Sequence, residues 1–277
     1  MMYEFPLSER IRNLLRLEEL FARMGLFSKR ESAADHHVAL SAIFDVLGMA
    51  GRSDLKTELL QELDRQRNML VSLRDNPAVA ADRLEQTIDA LQRTRHNLAN
   101  LQGKPGQVLL EHEWLMSVRA RASVPGGACA FDLPSYHAWQ QKPSEQRIDD
   151  MKLWCSQLRP LEAALQVTLG LLRETGQSQQ VLASKGTYQM QLTARSYQLI
   201  RVLPVDPQAI PEMSANQYLM WLRFSIACPR CARDTVYGPG NRFRPFCSER
   251  CKLNDLGDWA SERYRLPGDE VPPEEAS

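Results

Sequence analysis

Cys228-Pro-Arg-Cys231 and Cys247-Ser-Glu-Arg-Cys251 set four thiols in two short-spaced pairs. Thiolates are soft donors, and two such pairs can close a tetrahedron around a single zinc ion. Pro229 stiffens the turn that carries the first pair, and the second pair reads as the opening turn of a helix approached through Arg244-Pro245-Phe246. Zinc would then clamp a hairpin to a helix. A disulfide framework is the competing chemistry, but Met1-Met2-Tyr3-Glu4-Phe5-Pro6 has no uninterrupted signal-peptide core, and a reducing cytosol keeps thiols free. With Cys228, Cys231, Cys247 and Cys251 all ligating, no coordination position stays open for water or substrate, so the expected zinc is structural. Cys129 and Cys155 stand outside this set, in apolar surroundings that predict buried, unreactive thiols.

The elements that must hold this cluster come from a chain of 277 residues, of which a finger of about forty leaves enough for a body with its own core. Lys and Arg number 34 and so do Asp and Glu, so no global field draws the protein to nucleic acid or membrane, and any basic surface must be local. No apolar run approaches the roughly 18 residues of a membrane-spanning helix, which predicts a soluble, cytoplasmic protein without a membrane partner.

Helical periodicity dominates the first part. Ile11, Leu14, Leu15, Leu17, Leu20, Phe21 and Met24 share one face, with Gly25 as the expected stop; Ala39, Leu40, Ile43, Phe44 and Leu47 define a second helix ending before Gly51. His36 and His37 in that helix point about 100° apart, so they read as packed or solvated rather than as a ligand pair. Ser53 is the expected N-cap of a third helix carrying Leu55, Leu59, Leu63, Leu70 and Leu73. Asn76-Pro77 leads to its antiparallel partner with Leu84, Ile88, Leu91, Leu98 and Leu101, whose heptad spacing is short enough to serve intramolecular packing. Val118 and its neighbours continue the pattern to Val124-Pro-Gly-Gly127, after which 128–134 reads as a buried strand or link. Helices from Ser144 and from Pro160 to Glu174 follow, the latter burying Leu161, Leu165, Leu169 and Leu172.

Beyond Gly176 the period changes to two. Residues 187–192, 197–205 and 218–226 read as strands, with Pro204, Pro207 and Pro211 marking turns between them, and the last strand runs straight into Cys228. The fold class is therefore α+β: a mainly helical body with a small antiparallel sheet, followed by a small four-cysteine zinc finger. The expected division is 1–226 for the body, 227–268 for the finger and 269–277 for a disordered acidic tail.

From Cys228 to Pro267 the chain resembles the YacG family of gyrase-inhibiting zinc proteins, on Cys228-Pro-Arg-Cys231, Phe243-Arg-Pro-Phe-Cys-Ser248 and Asp255-Leu-Gly-Asp-Trp259. The resemblance implies a finger that binds the gyrase B subunit and blocks its access to DNA, with Phe243, Arg244, Phe246, Leu256 and Trp259 as the contacting residues.

The body resembles the ZapD family of cell-division factors. The motifs are Pro6-Leu-Ser-Glu9-Arg10 with Leu17-Glu18, then Thr57-Glu-Leu-Leu-Gln-Glu-Leu-Asp-Arg-Gln66, and most specifically Val118-Arg-Ala-Arg121 through Gly126-Gly127 to Phe131-Asp-Leu-Pro134 with His137 and Trp139. The resemblance implies a symmetric homodimer that takes the acidic carboxyl-terminal tail of FtsZ on a basic surface and cross-links filaments at the division site. The matching basic positions are Arg52, Arg119, Arg121 and Arg201. Glu113 and Tyr197 stand where relatives can carry arginine, and Arg195, two residues before Tyr197, extends the basic set. Arginine forks suit peptide carboxylates, whereas the same residues in isolation are ordinary solvated charges.

Arg230, Arg233, Arg242, Arg244, Arg250 and Lys252 around the cysteines motivate a second reading, a nucleic-acid-binding zinc protein, which ranks below the first because Asp255, Asp258 and Glu262 follow at once and the aromatics form no stacking series. The chain shows no phosphate loop, no Gly-x-Ser-x-Gly, no His-Glu-x-x-His and no open metal site, so it reads as a binding protein rather than an enzyme.

Overall fold

Leucine at every third or fourth position winds Glu9–Gly176 into one helical unit. Its elements are α1 (Glu9–Phe27), α2 (Ala33–Arg52), α3 (Leu55–Val71), α4 (Ala81–Ala99), α5 (Gln107–Leu110), α6 (Glu113–Ala122), α7 (Pro134–Gln140), α8 (Ser144–Ser156) and α9 (Arg159–Glu174). The computed structural model describes residues 1–52, 54–192, 197–236 and 240–260. α1 packs on α2, α3 pairs with α4, and α9 lies against α1, α3 and α4, burying Ile11, Leu14, Leu17, Leu59, Leu63, Leu91, Leu98, Leu165 and Leu169. Each such side chain contributes about 1.5–3 kcal/mol relative to exposure, and the 84/91/98 heptad serves this internal seam. Glu62 is buried among the helices, where burial pushes its carboxyl up but Arg65 and Arg10 together hold it below the ordinary range.

Some expectations change in this unit. α1 runs through Gly25 to Phe27: Gly25 takes no positive φ, and no neighbouring atom crowds that position. Ser53 lies outside the described residues. The segment 128–134 is a series of turns with Phe131 84% exposed, not a buried strand, because the Gly126 turn (φ 74°) folds it back before it can extend. Cys129 and Cys155 are both only half-buried, not buried as expected; the Cys129 thiol lies 3.4 Å from the Asp132 carboxylate, and desolvation pushes the pKa of the Cys155 thiol up to about 11. His36 and His37 are packing residues: His37 Nδ1 meets the Tyr136 hydroxyl at 2.7 Å, and buried His36 accepts from Arg147 Nε at 3.1 Å beside the Trp139 ring.

The second unit takes Met1–Ser8 and the chain from Gln177 onward. β1 (Tyr3–Pro6) pairs antiparallel with β3 (Leu199–Val202). β2 (Thr187–Gln191), β4 (Ala209–Ala215) and β5 (Leu219–Ala227) form a sheet in the order β2-β5-β4, and β6 (Asp234–Val236) also pairs with β5; α10 (Glu249–Ala260) follows. On β5, Met220, Leu222 and Ile226 are buried while Trp221 and Arg223 are exposed, the alternation of a one-sided sheet. The structure corrects the reading of Pro211 as a turn marker, because it sits inside β4 opposite Phe224. Among the described residues β4 is paired only with β5, and an edge strand tolerates a residue with no N–H to donate. Among the described residues, no helix is long and apolar enough to cross a membrane.

Candidate metal centre and basic surface

β5 ends at Ala227, and Cys228 turns the chain at once. The Cys228 N–H donates to Arg233 O at 2.8 Å, and the Ala232 N–H donates to Cys228 O at 2.8 Å. Ala232 takes the left-handed conformation (φ 55°), which folds the loop tightly enough to bring Cys231 back beside Cys228. β6 then returns along β5. Asn241 ties the next loop together: its Nδ2 donates to Thr235 Oγ1 and to Phe246 O, both at 2.9 Å, and its Oδ1 accepts from the Phe243 N–H at 2.9 Å. The approach to Cys247 is a turn closed by the Phe246 N–H to Phe243 O at 2.8 Å across a cis Arg244–Pro245 bond. Ser248 caps α10, its Oγ accepting from the Cys251 N–H at 3.4 Å, and so fixes the last thiol in the first helical turn.

These devices put the sulfurs of Cys228, Cys231, Cys247 and Cys251 within 4.8 Å of one another, with Cys231 and Cys247 3.4 Å apart and Cys247 and Cys251 3.6 Å apart. A zinc–thiolate bond of about 2.3 Å gives a tetrahedron with edges of about 3.8 Å, so the four donors fit one zinc ion. Cys228 and Cys251 are buried and Cys231 and Cys247 half-buried, leaving the cluster closed on one side by protein. The Arg233 guanidinium lies beside Cys231, a positive complement to a site of four thiolates, and that contact raises its already high pKa. Zinc held here supplies folding energy and a fixed loop geometry; the four thiolates complete its shell.

Arg119 and Arg121 both lie in the last turn of α6. Two residues apart on a helix, they diverge by about 200°. Arg119 is half-buried over α2, its Nη2 3.4 Å from where a Cβ on Gly48 would stand, and Arg121 is exposed. A Cβ on Gly127 would collide with the Arg121 carbonyl, so the glycine is required for the loop to fold back on the helix end. In the other unit, Arg201 points out of β3 and its Nε stands 3.0 Å from the Glu4 carboxylate. Arg195 lies outside the described residues, as do the side chains of Arg52, which ends α2, and Trp259.

Residues 15–223 match the family model of the cell division protein ZapD. The chain belongs to the ZapD family. Residues 226–277 match the model of the DNA gyrase inhibitor YacG, so the chain is a fusion of a ZapD body with a YacG zinc finger that holds one structural zinc. Both families are regulators rather than enzymes. The ZapD match ends at 223 and the YacG match begins at 226, and both positions fall within β5 (Leu219–Ala227). On the YacG side, Phe243 and Phe246 are half-buried, Arg244 is exposed, and Leu256 is 59% exposed. Sequence reasoning missed Leu253, also 59% exposed and one helical turn before Leu256 on α10; the three-residue spacing was the available signal.

Proposed function

We propose that the ZapD body binds the acidic tail of FtsZ and, as a homodimer, cross-links FtsZ filaments at the division site, while the finger binds gyrase B and inhibits gyrase. The supporting observation in the body is the environment of Arg119 and Arg121. Arg12, Arg16 and Arg23 on α1, Arg74 between α3 and α4, and Arg95 on α4 are held in ion pairs, but among the described residues neither Arg119 nor Arg121 has a carboxylate partner within 4.0 Å. Guanidinium groups left in that state at a glycine-closed helix end suit a carboxylate-rich peptide. Arg52, Arg195 and Arg201 are the other basic positions assigned to tail binding. A two-fold dimer supplies two such sites with identical geometry, which is what cross-linking needs. In the finger, exposed Leu253, Leu256 and Arg244 together have the composition of an interface anchor with a basic rim, to which Phe243, Phe246 and Trp259 contribute.

The test is co-sedimentation of the purified full chain with FtsZ filaments, with and without the FtsZ tail, together with supercoiling by purified gyrase. Tail-dependent sedimentation and loss of supercoiling support both halves of the reading; sedimentation that ignores the tail removes the first, and full supercoiling at large excess of metallated protein removes the second. One observation favours a second reading: Arg230, Arg233, Arg242, Arg244, Arg250 and Lys252 are all exposed around the finger. Binding of the full chain to random duplex DNA with a steep salt dependence would place nucleic acid ahead of gyrase B.

A further inference from the structure

The finger is built onto the sheet of the division body rather than tethered behind it. β5 is a single strand of nine residues, Leu219–Ala227, that pairs with β2 over Leu219 to Arg223, with β4 over Met220 to Ile226, and with β6 over Ser225 to Ala227. β2 and β6 therefore lie end to end along one side of β5, with β4 along the other. At the shared end, Ile226 stands between Ala209 of the body and Thr235 of the finger, and Ser225 between Ile210 and Val236. Ile226, Ser225 and Ala209 are all buried there. The path to the metal is short: Thr235 accepts from Asn241, Asn241 donates to the carbonyl of Phe246, and Cys247 is the next residue, while Cys228 follows Ala227 directly.

A three-residue strand such as β6 does not hold its own pairing, and the finger has little apolar core beyond half-buried Phe243 and Phe246. Its order depends on the metal. When the cysteines release zinc, β6 loses its anchor, and the last turnless stretch of β5 becomes an open edge held by β4 alone.

We propose that zinc occupancy of the finger sets the stability of the division body's sheet, so that metal loading and the integrity of β4 and β5 are linked in both directions. Linkage is reciprocal: whatever loosens that sheet also loosens zinc. The effect is graded, greatest at Ala209, Ile210, Ser225 and Ile226 where the pairing is shared, weaker at their neighbours on β4 and β5, and absent from the helical unit.

Amide hydrogen exchange of the full chain, read by mass spectrometry with zinc bound and after removal by a chelator, tests the first direction. Exchange at Ala209, Ile210 and 224–227 should quicken by about tenfold or more on zinc removal while α3 stays unchanged. Loss of protection confined to residues after Cys228 overturns the proposal. The reverse direction is read by the rate at which a chromogenic chelator extracts zinc from Leu222→Ala. Leu222 is buried on β5 opposite Tyr188 and Met213 and six positions from the nearest cysteine. Extraction should be several-fold faster than from the unmodified chain. If that variant does not fold, Met213→Ala, half-buried on β4, takes its place. Unchanged extraction from a folded variant overturns the linkage.

Discussion

Arg201 on β3 stands directly across from Glu4 on β1, and its Nε lies 3.0 Å from the Glu4 carboxylate. The arginine proposed to receive an acidic peptide is thus already oriented by a carboxylate of its own chain, with its side chain 38% exposed and Glu4 18% exposed. Such a pair contributes less than about 1 kcal/mol to stability, and a peptide carboxylate can share the fork.

The choice of substitution at Arg201 follows from that pairing. Arg201→Glu would place two carboxylates opposite each other on adjacent strands and weaken the β1–β3 pair, so Arg201→Gln is the clean variant. Anisotropy with a labelled FtsZ tail peptide should show affinity falling about fivefold to thirtyfold, the loss of one charge-assisted contact. Glu4→Gln should tighten binding, because the guanidinium then has no internal competitor. Weaker binding by Glu4→Gln would mean that the pair orients Arg201 rather than competes for it.

Arg119→Glu with Arg121→Glu should abolish filament bundling and leave the helical circular dichroism of the chain unchanged, because neither residue is a core contact that the helices need. Binding by the unmodified protein should weaken as salt rises, since exposed charges are screened over about 8–10 Å near physiological ionic strength. Light scattering from the filaments reads both. Bundling that persists in the double variant moves the site elsewhere.

One zinc per chain should appear in elemental analysis, falling well below one in Cys247→Ser, because the site then loses one of its four thiolates. The same substitution should remove gyrase inhibition if the finger carries it. Leu256→Ser should weaken inhibition by about tenfold with zinc content unchanged, as its side chain is exposed and makes no contribution to the metal shell. A zinc-free wild-type protein prepared without chelators would contradict the structural assignment.

Acid should destabilise the helical unit through His36. Burial and the Arg147 charge lower its pKa below 6.5, against smaller opposing effects of the Arg30 carbonyl and Asp35, and Arg147 Nε donates to Nδ1, so the ring is neutral with its proton on Nε2. A folded pKa below the unfolded value means that the unfolded chain binds more protons in the window beneath 6.5. Stability is therefore complete above that pH and falls as the pH drops through it. Urea midpoints measured at about pH 7.5 and about pH 5.5 should fall in the wild type and converge in His36→Gln, which keeps an acceptor for Arg147 but does not titrate. An equal acid loss in both proteins would assign the effect to other groups.

The metal cluster and the helices were legible in the residues because their determinants are local. Two cysteine pairs at short spacing define a tetrahedral site whatever surrounds them, and a leucine stripe every three to four residues buries one helix face wherever the partner lies. The strands were legible only where alternation was undisturbed, as in β5. Tertiary structure decided the rest. Pro211 looks like a turn until β4 is seen as an edge whose partner supplies the pairing, and β1 acquires its partner, and Glu4 its arginine, only when β3 arrives from the far end of the chain. Phe131 and Cys129 sit in an apolar run that local pattern assigns to the interior, yet the Gly126 turn leaves the ring in solvent. Strand pairing and exposure are set by contacts between residues distant in sequence, and one chain's periodicity carries no record of them; that is also why the sharing of β5 between body and finger emerges only from the paired register.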